Sequence, residues 1–132
     1  MITLNKDFGL LILRVGVGLM SFYVHGLPKL MAGPEMWEKV GGAMGKFGIT
    51  FYPVFWGFMA ALSEGLGGIL LTVGIGTRLA AAFMAATMTV ASTQHLMSGD
   101  PLSKASHAIE LGIVFLALMW LGSGKYALRP SR

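Results

Sequence analysis

Four stretches of this sequence, near residues 8–31, 52–74, 79–97 and 106–122, are apolar enough to be read as crossings of the bilayer. Roughly 30 Å of hydrocarbon takes about 20 residues of helix. A backbone in hydrocarbon must satisfy its own amides and carbonyls, so segments of this kind fold as helices rather than as open strands. The connections between them are short, so residues 1–132 read as a single transmembrane domain. The expected fold class is all-α, an integral membrane bundle of four transmembrane helices. Composition agrees: 55% of residues are hydrophobic and 12% charged, against about 25% charged in soluble domains. The first stretch follows Lys6 as a leader peptide would, but it is too long and lacks a clean small-x-small cleavage pattern, so it reads as a retained span.

Between the first two spans lies Gly33-Pro34-Glu35-Met36-Trp37-Glu38-Lys39-Val40, continuing to Gly48 and too polar to cross. Pro34 suits a first helical position, Glu35 and Glu38 suit the positive end of a helix dipole, and Met36, Trp37, Val40, Met44 and Phe47 recur at helical spacing. The expectation is a short interfacial helix with Trp37 at headgroup level. The second span opens on an aromatic belt (Phe51, Tyr52, Phe55, Trp56, Phe58) and ends in Gly65, Gly67, Gly68 and Gly74, spacing that lets helix backbones approach closely in lipid. Ser98-Gly99-Asp100-Pro101 marks a turn, after which Ser103 or Ser106 is the expected helix cap.

The ten Lys and Arg residues sit near helix ends instead of forming a stripe, which argues against nucleic acid as a partner. With four spans, Lys6, Arg78, Lys125, Arg129 and Arg132 fall on one side and Lys29, Lys39, Lys46 and Lys104 on the other, a bias that places both termini in the cytoplasm. Cysteine is absent, which removes thiolate nucleophiles, thiolate metal ligands and dithiol electron transfer from the chain's own chemistry.

Ionisable side chains inside a span are costly unless paired or hydrated, which makes them functional candidates. They are Arg14, His25 and Lys29 in the first span, Glu64 in the second, Gln94 and His95 at the end of the third, and His107 and Glu110 in the fourth. At 1.5 Å per residue, Arg14 lies about 9 Å and Glu64 roughly 15 Å from the same face, so a structural Arg14–Glu64 ion pair is expected. His25 and Lys29 are one turn apart, and His107 and Glu110 share a face. With Gln94 and His95 they are expected to form a polar ligand pocket in the opposite half of the bundle. Such groups suit a quinone head with proton relay. His25, His95 and His107 also have the chemistry of zinc, copper or iron ligands, although no recognised ligand spacing is present. Satisfied interfacial histidines remain the bland alternative.

Leu11-Ile12-Leu13-Arg14-Val15-Gly16 and His25-Gly26-Leu27-Pro28-Lys29-Leu30 resemble the opening of DoxX family membrane proteins. Glu64-Gly65-Leu66-Gly67-Gly68-Ile69-Leu70-Leu71 with Gly74, then Thr77-Arg78-Leu79-Ala80-Ala81, resembles that family's second and third helices, and Glu110 with Gly122-Ser123-Gly124-Lys125-Tyr126 resembles its closing segment. The chain departs from the resemblance at Ser123, where many relatives have proline, and at Ala127-Leu128-Arg129, where many have Ser-Leu-Asp. The resemblance implies a bacterial inner-membrane protein, a membrane subunit or partner of quinone-linked oxidoreductases, with Arg14, His25, Lys29, Glu64, Arg78 and Glu110 as shared positions. The functional expectation is a redox-associated subunit with a quinone or small-molecule pocket and a redox partner protein. The alternatives are a non-catalytic membrane anchor or scaffold and a small transporter, either of which could work as a homo-oligomer.

Overall fold

A computed structural model describes residues 4–131, and among these every regular element is helical. Helix α1 (Lys6–Met20) runs through a π-helical segment, Ser21–Gly26, into α2 (Leu27–Ala32), making one continuous rod of 27 residues. Asn5 caps its start by accepting the amides of Asp7 and Phe8. After Gly33 come α3 (Pro34–Gly41) and a 3-10 segment, Gly42–Phe47, then α4 (Pro53–Val73), α5 (Thr77–Met97) and α6 (Leu102–Leu121). The α1–α2 rod, α4 and α6 are long and apolar enough to cross a membrane. α5 is as long as α4. Its second half is loaded with hydroxyls, and Thr87, Thr89, Ser92 and Thr93 each donate back to the carbonyl four residues earlier.

Two of the expected boundaries moved. Helix α6 starts at Leu102, directly after Pro101, whose extended backbone serves as the cap, so neither Ser103 nor Ser106 caps it. α5 starts at Thr77, because Gly74 and Gly76 take left-handed conformations that turn the chain within a few residues of the end of α4.

Neighbouring helices pack in the order α1, α4, α5, α6, and no Cα pair of α1 and α6 lies within 8 Å. The core is the seam of α4, α5 and α6, where Leu71, Ala81, Met84, Phe115 and Leu118 are fully or almost fully buried and Leu10, Leu13 and Val17 of α1 lean in from the open side. Between α1 and α4 the contact is glycine on glycine. A Cβ on Gly26 would collide with the backbone of Glu64 and Gly65, and one on Gly68 would collide with Gly18. α3 docks on α4 in the same way: a Cβ on Gly57 would strike the Trp37 carbonyl. Lipid gives little hydrophobic drive to helix association, so such close approach is what supplies the packing energy. Trp37 therefore turns its ring down against Phe58, with its indole N–H donating to the Lys29 carbonyl at 2.8 Å.

The chain end folds back over the start. The Lys125 amide donates to Asp7, Asn5 donates to the Tyr126 hydroxyl, and the amides of Leu128 and Arg129 donate to the carbonyls of Val73 and Gly74.

Candidate functional site

Arg14, fully buried, does not meet Glu64. Its guanidinium donates to the carbonyls of Leu71 (3.0 Å), Thr72 and Tyr126, closing the C-terminal end of α4 and pinning the chain's tail. The expected ion pair fails on register. α1 crosses α4 antiparallel with Gly18 against Gly68 and Gly26 against Gly65, which sets Arg14 beside the last turn of α4, about two turns beyond Glu64. A planar fork of donors suits the unpaired carbonyls there and the negative end of the helix dipole. Arg78 does the same for α6, donating to the carbonyls of Met119 and Trp120 at 2.6 and 2.8 Å.

Glu64, only 3% exposed, is paired instead with Lys29, whose ammonium reaches both carboxylate oxygens at 3.0 and 2.9 Å. The Gly26–Gly65 crossing brings the two helices close enough for this, and the π segment just before it shifts the phase of the rod so that Lys29 faces α4. The pair forms the polar end of a cavity of about 260 Å3 between α4 and α5, beneath α3. Met44, Met59, Phe83 and Val90 give it apolar walls, and Ser63 and Thr87 line it, joined by a 3.1 Å hydrogen bond. Ser63 and Thr87 carried no signal in the sequence, because nothing distinguished them from the other small hydroxyl residues of the same helices.

The remaining candidates divide between two other places. His25 and His107 meet across the gap between α1 and α6, Nε2 to Nε2 at 3.2 Å with ring centroids 5.1 Å apart. One imidazole must be neutral to accept the other's N–H. Glu110, one turn on from His107, points outward and is exposed, so it does not close a pocket with His25. His95 is drawn to the α5–α6 turn, where its Nδ1 lies 2.8 Å from Asp100. That hydrogen bond, with Lys104 nearby, holds the Asp100 carboxyl below its ordinary value. Gln94 reaches the same turn through Ser98. The shared pocket of His25, Gln94, His95, His107 and Glu110 is thus not formed, because helix phase sends His95 and Glu110 away from the His25–His107 contact. Nor are His25, His95 and His107 gathered as one ligand set: among the described residues no three His, Cys, Asp or Glu side chains converge in a way that could hold a metal.

The DoxX family model matches residues 9–96, well over half of the chain, and the match holds Arg14, His25, Lys29, Glu64 and Arg78. The chain belongs to the DoxX family. This DoxX protein is also similar to the Bacillus subtilis (strain 168) protein named "Putative oxidoreductase CatD", with 30% identity over 129 residues that cover 96% of this chain and 90% of the relative. No solved structure gives a significant match. Family membership and three helices of spanning length and apolarity make it an integral membrane protein in contact with the lipid bilayer.

Proposed function

We propose that this DoxX protein is a redox-associated subunit of the bacterial inner membrane that holds the head of a quinone or a similar small ring in the cavity ending on Lys29 and Glu64. In this reading residues 1–132 form one domain, α5 is the fourth span, α3 lies in the interface, and both termini face the cytoplasm. The observation that carries it is an apolar cavity closed at one end by a buried ion pair. At about 260 Å3 it falls below the roughly 300–1,000 Å3 of sites for complete drug-sized ligands, so it takes a single substituted ring whose tail stays in lipid. The Lys29 ammonium donates to a quinone carbonyl, and the Glu64 carboxylate accepts from a hydroquinone hydroxyl. Quinone reduction consumes two electrons and two protons. With no cysteine in the chain, the electrons come from a redox partner protein. The relative's name, an oxidoreductase, supports the same direction.

The test is the quinone content of protein purified in mild detergent. The double variant Lys29→Met, Glu64→Gln removes both charges while keeping side-chain volume, which avoids leaving one buried charge alone. It is expected to stay folded and to lose most of the co-purified quinone. Equal quinone in wild type and the folded double variant would sink the reading. That outcome would favour a non-catalytic anchor or scaffold, to which the structural use of Arg14 and Arg78 as helix-end caps already points.

A further inference from the structure

The gap between α1 and α6 is bridged by side chains near His25 and His107 and opens at the other end, beside the chain termini, into a separate cleft of about 710 Å3. The floor of that cleft is apolar, made by Leu10 and Leu13 of α1 and Leu121 of α6. Its mouth carries two ammonium groups, Lys6 and Lys125, and neither forms a salt bridge with a carboxylate among the described residues. The one carboxylate in the cleft, Asp7, is held by the Lys125 amide at 3.0 Å. Its second oxygen and the Ser131 hydroxyl remain as polar lining beside the lysines.

Two cations above an apolar trough between helices are the arrangement that a phospholipid of negative charge satisfies at both ends. The phosphate meets the lysines and a chain fills a gap that helix packing leaves open. Zwitterionic lipid would bring its own ammonium against Lys6 and Lys125, and a free anion would leave the apolar floor uncovered. We propose that this cleft is a binding site for an anionic phospholipid, with its phosphate between Lys6 and Lys125 and an acyl chain laid along Leu10, Leu13 and Leu121. The site is independent of the Lys29–Glu64 cavity. It lies at the end of the bundle that also carries Arg78 and Arg129, and the anionic leaflet of a bacterial inner membrane faces such an end when the termini are cytoplasmic.

Native mass spectrometry of the full chain, released from detergent with equal phosphatidylglycerol and phosphatidylcholine, tests this. Wild type should carry phosphatidylglycerol in preference. Lys6→Gln and Lys125→Gln should each reduce that preference about fivefold, the equivalent of one lysine near a lipid surface. Lys39→Gln, on α3 at the other end of the bundle, should leave it unchanged. Gly9 lines the cleft, and a Cβ there meets nothing within 4 Å, so Gly9→Leu should fold and block the trough, lowering lipid binding without touching a charge. Should a lysine variant fail to fold by circular dichroism, Gly9→Leu carries the test alone. Equal retention of the two lipids by wild type, a preference that survives in the folded lysine variants, or unchanged lipid binding in Gly9→Leu would overturn the proposal. Displacement of the lipid by millimolar inorganic phosphate alone would overturn it as well, by showing a site for the ion only.

Discussion

Arg14 shows how a charge inside an apolar shell can be fully employed without a counter-charge. Three carbonyls receive its guanidinium, and all three belong to chain ends that would otherwise stay unsatisfied. Removing it leaves buried acceptors, each worth about 1–3 kcal/mol when stranded. Arg14→Ala should therefore lower stability by at least about 3 kcal/mol, and Arg14→Lys should recover only part of that, because an ammonium cannot present a planar fork. Thermal unfolding in detergent would measure both, and an Arg14→Ala protein as stable as wild type would contradict the capping role. The residue identities of the candidate site were legible: Arg14, His25, Lys29 and Glu64 stand out as ionisable groups in apolar runs. Their partners were not. Which carboxylate a cation reaches depends on register between two helices, and a shift of one turn exchanges Arg14 for Lys29 at Glu64.

At the scale of elements, glycine decides where helices touch. Gly26 and Gly57 each sit where a methyl group would strike the backbone of the neighbouring helix, whereas Gly16 faces open space. Gly26→Ala and Gly57→Ala should each destabilise the protein by about 1–3 kcal/mol through overpacking. Gly16→Ala should be neutral or stabilising, since alanine is the better helix former by about 1 kcal/mol. Unfolding midpoints for the three variants would check this, and an equal response from all of them would show that the contacts do not carry the packing. Gly26→Ala should also loosen the Lys29–Glu64 pair, because that pair depends on the same crossing. The glycine-rich character of α4 was readable in advance. Which glycines were contacts and which were surface was not, since a helix repeats its faces every few residues and sequence spacing alone does not say which face meets a neighbour.

For the whole molecule, the return of the chain end to the start of α1 fixes both termini at one end of the bundle. The chain has no cysteine, so single-cysteine variants are clean reporters of sidedness. Lys6→Cys and Arg129→Cys should react with an impermeant maleimide from one side of sealed vesicles, and Lys39→Cys and Lys104→Cys from the other. Labelling of Lys6 and Lys104 from the same side would rule out α5 as a crossing helix. The sequence by itself determined the helical class, the membrane setting and the ionisable residues that matter, because hydrocarbon forbids unsatisfied backbone and penalises charge wherever it falls. Only the tertiary structure decided how those residues are shared out: Arg14 and Arg78 to helix ends, Lys29 and Glu64 to a cavity, His25 and His107 to the gap between the outer helices, and His95 to a turn. Those assignments follow from helix phase, crossing points and a π segment that displaces everything after it by a fraction of a turn, and these are properties of pairs of helices that no single stretch of sequence contains.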